Sequence, residues 1–231
     1  MKIRLKFSKN GLMKYIGHLD MMRGWQKIFR RSGIPIAYSE GFHPHQIFSI
    51  AAPLAVGVTS DGEYLDLKLS EEGYPLKDII EKVNACCPEG IQILEAVELV
   101  GKQTAGMAAC KAATYEITLS DALDKALQPE NSVKEFLDSD SIIVLKRNKR
   151  GKMNELDIKT GVYTITRQGN KFYMMLATGS SLNIKPELVL NALYEKFEID
   201  KDNVEEIYYN VHRFDIFSSV EPLQTLTEGV F

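Results

Sequence analysis

Residues 3–35, "IRLKFSKNGLMKYIGHLDMMRGWQKIFRRSGIP", contain two different hydrophobic patterns in succession. Apolar and basic residues alternate over the first five positions, and this period of two predicts a strand with one face toward a core. From Tyr15 to Arg31 the apolar residues recur at helical spacing instead, and Gly33 and Pro35 end that pattern. A strand therefore leads into an amphipathic helix.

The following segments continue this alternation of strands and helices. Residues 35–50 and 64–70 are predicted to be extended, residues 76–87 helical, and residues 91–99 a strand. The order βαββαβ is the ferredoxin-like plan, and it begins again after residue 113. The sequence thus predicts an α+β fold of two tandem ferredoxin-like units, the second with an extra hairpin that turns at residues 168–170.

The predicted organisation has four parts. Residues 1–100 form the N-terminal ferredoxin-like unit, whose first half is basic, residues 101–113 a linker of small residues, residues 114–217 the second unit, and residues 218–231 a C-terminal tail.

The composition is that of a globular protein in a reducing compartment. The chain has 231 residues, of which 45% are hydrophobic, so a real core is expected. It contains no apolar run long enough to span a membrane, and its start alternates charged with apolar residues, so we expect a cytoplasmic protein. Cys86, Cys87 and Cys110 form no C-x-x-C pair, which favours reduced thiols over a disulfide or a zinc site.

The net charge of −3 hides a strong asymmetry. The first 50 residues carry a local charge of +7 and the remaining residues a charge of −10. Such a distribution indicates either a surface for a polyanion or two halves that attract each other. Basic residues are predicted on the open face of the sheet, along one side of the helix that ends near Arg31, and in a run at residues 146–152. They supply eleven candidate contacts to RNA phosphates: Lys2, Arg4, Lys6, Arg23, Lys27, Arg30, Arg31, Lys146, Arg147, Lys149 and Arg150. A solvated basic face without a ligand is the alternative, and the aromatic signature of a sequence-reading RNA module is absent.

The segment "EGFHPHQIFSI", residues 40–50, places two histidines on either side of a proline. His43 and His45 would point to the same side of a strand and could ligate a metal, or one of them could act as a general acid or base. A structural role is the third hypothesis, since Gly41 permits a turn and Pro44 stiffens it. If the preceding helix meets this loop, the two form one candidate ligand site of His18, Asp20, Arg23, Gly41, Phe42, His43 and His45; no metal ligand set and no catalytic residue is assigned.

Residues 15–69 resemble the radical SAM-linked proteins of unknown function, whose domain stands alone or follows a radical SAM module. The resemblance rests on H-L-D-x-x-R at residues 18–23, G-F-x-P-H at 41–45 and P-L-x-x-G-x-x-S-x-x-E-Y at 53–64. It is specific over residues 2–100 and extends more loosely to about residue 190. Gln46 and Lys159 depart from the family pattern, which has proline and arginine there.

The chain lacks the C-x-x-x-C-x-x-C motif that holds a radical SAM cluster, so it cannot perform that chemistry alone. The resemblance therefore implies a separately encoded radical SAM enzyme as partner, and no cofactor is expected on this chain. From residues and resemblance together we expect an RNA-binding protein, for tRNA or rRNA, that recognises the substrate of this enzyme. The alternatives are a nuclease or other hydrolase that uses His18, His43 or His45, and a protein-interaction module without nucleic acid.

Overall fold

The structure is a computed structural model, and it describes residues 1–126, 132–147, 151, 153–198 and 209–228. Contacts divide the chain into two compact units, Met1–Ala112 together with the segment that begins at Arg213, and Ala113–His212. The chain first forms β1 (Lys2–Lys9), α1 (His18–Ser32), β2 (Phe48–Ile50), β3 (Thr59–Lys68), α2 (Leu76–Asn84), β4 (Ile91–Glu98) and α3 (Gly106–Ala109). It continues with β5 (Ala112–Leu119), α4 (Asp121–Ala126), α5 (Ser132–Leu137), β6 (Ile143–Arg147), β7 (Met153–Asp157), β8 (Val162–Gln168), β9 (Lys171–Ala177), α6 (Pro186–Lys196), β10 (Tyr209–Val220) and β11 (Leu223–Thr225).

The first unit is built on an antiparallel sheet. Strands β4, β1 and β3 lie side by side, and the short β2 pairs with the outer edge of β3. β10 also borders β3, and β11 pairs with β10. The α+β class with a mostly antiparallel sheet is thereby confirmed.

The core of the first unit lies between this sheet and the helices α1 and α2. The alternation in β1 turns Ile3, Leu5 and Phe7 toward the helices, as the sequence predicts. Trp25 of α1 packs against Phe7 and Phe29 with ring centroids 5.0 and 5.4 Å apart, and Phe29 in turn packs on Phe48 at 5.4 Å. This aromatic row anchors β2, which begins three residues after the G-F-H-P-H segment ends at His45.

The second unit has a sheet in the order β5, β9, β8 and a separate hairpin of β6 and β7. β8 and β9 form the hairpin that the sequence predicts at residues 168–170. Helix α6 begins with Pro186 in its first turn, where a proline costs no backbone hydrogen bond. None of the helices in the described ranges is long and apolar enough to span a bilayer.

Three segments differ from the sequence-based expectation. Residues 35–50 are extended only at β2 and at two isolated bridges, because Gly41 and Pro44 open a loop between them. The predicted linker 101–113 contains α3, whose Gly106 N–H donates to Asp66 Oδ2 at 2.7 Å. The predicted tail, residues 218–231, begins inside β10, and the described part of it belongs to the first unit.

Candidate functional site

The G-F-H-P-H segment forms a braced loop on the first unit. Tyr38 and Gln46 face each other in an isolated bridge, and the N–H of Ser39 donates to the His45 carbonyl at 2.8 Å. Gly41 has a φ of +106°, a conformation that a side chain rarely permits. Phe42, next to it, is 100% exposed. The loop therefore presents an aromatic ring to solvent on a backbone that hydrogen bonds hold in place.

Ser39 fixes the imidazole of His45. The backbone N–H of His45 donates to Ser39 Oγ at 3.0 Å, and Oγ lies 2.8 Å from His45 Nδ1. If the Ser39 hydroxyl gives its one proton to Nδ1, the neutral ring carries its own proton on Nε2. Nε2 has no protein partner among the described residues. His43 lies in the same loop and not in a strand, so the expected shared strand face for the two histidines does not form.

A groove of about 360 Å³ begins beside His45. It is lined by residues of the loop, of β1, β2 and β3, and of the segment after β4, among them Lys2, His45, Phe48, Leu67, Lys68 and Leu99. Its volume falls within the range of about 300–1,000 Å³ that is usual for small-molecule sites.

The polar face of the sheet is not open, which corrects the expectation for Arg4 and Lys6. Arg4 is 3% exposed; its guanidinium donates to both oxygens of Asp66 at 2.7 and 3.0 Å, and to the carbonyls of Leu226 and Thr104 at 2.9 Å each. Lys6 lies 2.6 Å from Asp215 of β10. The C-terminal segment thus supplies partners to cations that the sequence alone predicts to face phosphates, and only Lys2 of the three remains exposed.

The stripe on α1 is exposed, as the sequence predicts. Arg23 pairs with Asp20 at 3.0 Å, and Arg31 donates to the carbonyl of Cys86 at 3.0 Å. Lys27 and Arg30 have no side-chain partner among the described residues. These four cations remain available for an anionic ligand.

The second basic run, residues 146–152, begins at the end of β6, which pairs with β7 in a hairpin. Lys149 and Arg150 lie outside the described residues. Lys146 and Arg147 end β6, where the structure describes their backbone alone.

The H-L-D helix and the loop share no polar contact among the described residues. His18 lies beside a small cavity of about 20 Å³ together with Pro53, Leu54 and Glu63, enough for about one water molecule. Within the described part of the chain, His18, Asp20 and Arg23 share no hydrogen bond, ion pair or cavity with residues 41–45. The described contacts therefore do not join the two parts of the single site that the sequence suggests.

A buried charge cluster next to this small cavity was not predicted. Arg213 donates to both oxygens of Glu63, and the Lys9 ammonium donates to the Ile16 carbonyl at 2.8 Å. Burial lowers the pKa of Lys9, while the nearby Glu63 acts in the opposite direction. Glu63 lies on the same face of β3 as the buried Leu65 and Leu67. The spacing of two residues along the strand is the sequence signal that could have revealed its burial. No group of three or more His, Cys, Asp or Glu side chains in the described ranges is placed to hold a metal ion.

Comparison with known proteins places the chain beside proteins without an assigned activity. A family model described as "Uncharacterized protein conserved in bacteria" (DUF2344) matches residues 2–186. No curated protein matches the chain. The crystal structure of an unknown protein from Galdieria sulphuraria aligns over 92% of this chain and 96% of its own, with 10% identity and a TM-score of 0.29. At that TM-score the likeness supports no conclusion.

Proposed function

The chain belongs to this bacterial family, DUF2344, and we propose that it binds single-stranded segments of RNA, of a tRNA or an rRNA, as the recognition partner of a separately encoded radical SAM enzyme. The observation that carries the proposal is the fully exposed ring of Phe42 on the braced loop. Burying a phenylalanine side chain stabilises a protein by about 1.5–3 kcal/mol. Phe42 does not contribute this stabilisation, because its side chain is fully exposed.

An exposed ring on a fixed backbone suits a base that is not stacked in a duplex. Stacking of one base on an aromatic side chain contributes about 1–3 kcal/mol, and every base offers a face for it. Unpaired bases in loops, bulges and ends are also the parts of RNA that proteins read by stacking. The exposed Tyr38 and His43 lie on the same loop and can extend this platform.

The exposed cations supply the attraction for the phosphates. Arg23, Lys27, Arg30 and Arg31 line one side of α1, and Lys2 and Lys68 lie at the groove. Contacts of this kind add affinity that depends on salt and not on sequence. Because Arg4 and Lys6 are engaged by acidic partners, the proposed interface consists of the loop, the groove and α1, and excludes the part of the sheet face around Arg4 and Lys6.

The ferredoxin-like plan belongs to the same proposal. For the first unit it is supported by the strand order β4, β1, β3, β2 and by one helix after β1 and one after β3. For the second unit the support is weaker, since β6 and β7 stand outside the β5–β9–β8 sheet. RNA-recognition modules of this plan use the sheet face, whereas here that face holds the contacts of Arg4 and Lys6.

The proposed enzyme partner follows from the resemblance to radical SAM-linked proteins and from the missing cluster motif. A protein that lacks the cluster but holds the RNA would position the modified nucleotide for an enzyme that has one.

Ultraviolet crosslinking in cells, followed by sequencing of the RNA and mass spectrometry of the protein, tests the proposal. Trypsin releases the loop on one peptide, residues 32–68, because no Lys or Arg lies between Arg31 and Lys68. We expect crosslinked nucleotides on this peptide. Crosslinks confined to other peptides would remove the loop from the interface, and an absence of bound RNA would overturn the function.

A further inference from the structure

The groove carries two lysines whose charges the protein does not offset. Lys2 and Lys68 are direct partners in the antiparallel register of β1 and β3. Side chains so paired have Cβ atoms about 4.5–5.5 Å apart, and like charges in this arrangement are destabilising. Neither ammonium has an ion pair or a hydrogen bond to the described residues.

The carboxylate in the groove does not balance these lysines. Both oxygens of Asp66 accept from the buried Arg4, and one also accepts from the Gly106 N–H. Arg4 and Asp66 therefore cancel each other, and the excess positive charge at the groove stays with Lys2 and Lys68. A ligand that neutralises both lysines must be an anion.

The other walls of the groove favour a ligand with a flat apolar part. Ile47, Leu99 and Ala105 contribute the apolar residues of its lining on the side of the lysines. His45 adds an imidazole that Ser39 orients and whose Nε2 lacks a protein partner in the described ranges. Such a site combines a hydrophobic surface with a few polar groups that fix orientation.

We propose that the groove binds one nucleoside monophosphate unit, with the base on the apolar wall and the phosphate between Lys2 and Lys68. The proposal deepens the RNA function, on which it rests for the class of ligand. The same chemistry is offered by a free mononucleotide and by a terminal nucleotide of an RNA strand. Phe42 would then stack a neighbouring base outside the groove.

Titration calorimetry with AMP, CMP, GMP and UMP, and with a single-stranded RNA pentamer carrying a terminal phosphate, tests the site. The variants are Lys2→Gln, Lys68→Gln and the double variant, and the control is Lys77→Gln on the exposed face of α2. A charge-assisted hydrogen bond contributes about 1.5–3 kcal/mol, so each groove variant should weaken binding about tenfold or more, and the control should not. The unliganded variants should melt at or above the temperature of the wild type, because the like-charge contact is removed.

The outcomes separate the groove from the RNA function. Lysine-dependent binding of mononucleotides identifies a free nucleotide as ligand, and lysine-dependent binding of the pentamer alone identifies an RNA end. If the pentamer binds through Phe42 but equally well to all lysine variants, the groove proposal is wrong and the RNA function stands. If mononucleotides bind in the groove but no RNA binds, the RNA function is wrong and the groove stands; if nothing binds, both fail.

Discussion

Arg213 and Glu63 form a two-point ion pair inside the first unit. Nε and Nη2 of Arg213 lie 2.8 and 2.5 Å from the two carboxylate oxygens, and the side chains are 4% and 2% exposed. Nη2 also donates to the carbonyl of Ala52 at 2.6 Å. The pair thus fixes β10 against β3 and against the segment that follows β2.

Replacing one member of this pair leaves the other charge buried without its partner. We expect Glu63→Gln and Arg213→Met each to lower the free energy of unfolding by about 3–5 kcal/mol, measured by urea denaturation. The exposed pair of Asp20 and Arg23 is the control, and Asp20→Ala should cost less than about 1 kcal/mol. The double variant Glu63→Leu with Arg213→Met should recover part of the loss; single variants as stable as the control would show that the pair does not hold β10.

A second buried contact joins Tyr64 to the same strand. Its hydroxyl donates to Asp215 Oδ1 at 2.5 Å, and burial followed by the charge of Asp215 raises the pKa of Tyr64 far above its usual range. Tyr64→Phe should lower the free energy of unfolding by about 1 kcal/mol, since Lys6 and the Ile216 N–H still satisfy the carboxylate. Tyr74→Phe, which removes a hydroxyl bonded to the exposed Lys82, should change it by less than about 0.5 kcal/mol. Equal effects of the two changes would contradict this account.

The local elements of the first unit could be predicted from sequence because their signals are local. The alternation of Lys2 to Phe7 and the helical spacing from Leu19 to Phe29 each lie within one element. The C-terminal segment could not be assigned to this unit in the same way, because Arg213 meets Glu63 across 150 residues. A pairing over such a distance leaves no periodic trace in either strand.

In the candidate site, too, the local features could be predicted from the sequence and the contacts between distant residues could not. The G-F-H-P-H loop was visible as a turn, but its separation from His18 depends on tertiary structure. The groove combines His45 of the loop with three strands and the segment after β4, so the motif alone does not reveal it. The alternation in β1 places Arg4 on the face opposite the core, so the sequence predicts that it is exposed. It is buried because its guanidinium pairs with Asp66 and because the C-terminal segment covers it.

Cys110 should be a slowly reacting thiol. Burial raises its pKa to about 11, although Arg213 and Arg4 act in the opposite direction, and its Sγ donates to the Gly106 carbonyl at 3.1 Å. At pH 8 the thiolate of the folded protein is therefore roughly 100-fold scarcer than that of an ordinary cysteine. Iodoacetamide should label Cys110 at least that much more slowly in buffer than in urea, and equal rates would contradict its burial.

The same raised pKa predicts a decline of stability at alkaline pH. A thiol that ionises at a higher pH in the folded state than in the unfolded state stabilises the fold fully below the unfolded pKa of about 9, and this contribution is lost as the pH rises to about 11. Cys87, whose pKa burial also raises to about 11, acts in the same direction. Urea denaturation at pH 8 and pH 10 should show a smaller loss of stability in the Cys87→Ala, Cys110→Ala double variant than in the wild type. An equal loss would exclude the thiols as its cause.

Arg23 and His45 should act independently on RNA affinity. They share no hydrogen bond or ion pair within the described residues, and effects at sites that do not interact add to within about 0.3–0.5 kcal/mol. Fluorescence anisotropy with single-stranded RNA on Arg23→Ala, His45→Ala and the double variant measures their coupling. A coupling above about 1 kcal/mol would restore the single ligand site that the sequence suggests.

RNA binding by the loop is tested most directly by the affinity of Phe42→Ala for single-stranded RNA, measured by anisotropy over a range of salt concentrations. The loss of one stacked base should weaken binding by about 5- to 150-fold and leave the salt dependence unchanged, because no charge is removed. Tyr163→Ala, which removes an exposed aromatic ring of the second unit, is the matched control and should bind like the wild type. RNA binding by Phe42→Ala that equals that of Tyr163→Ala, or no RNA binding by the wild type at low salt, would contradict the account.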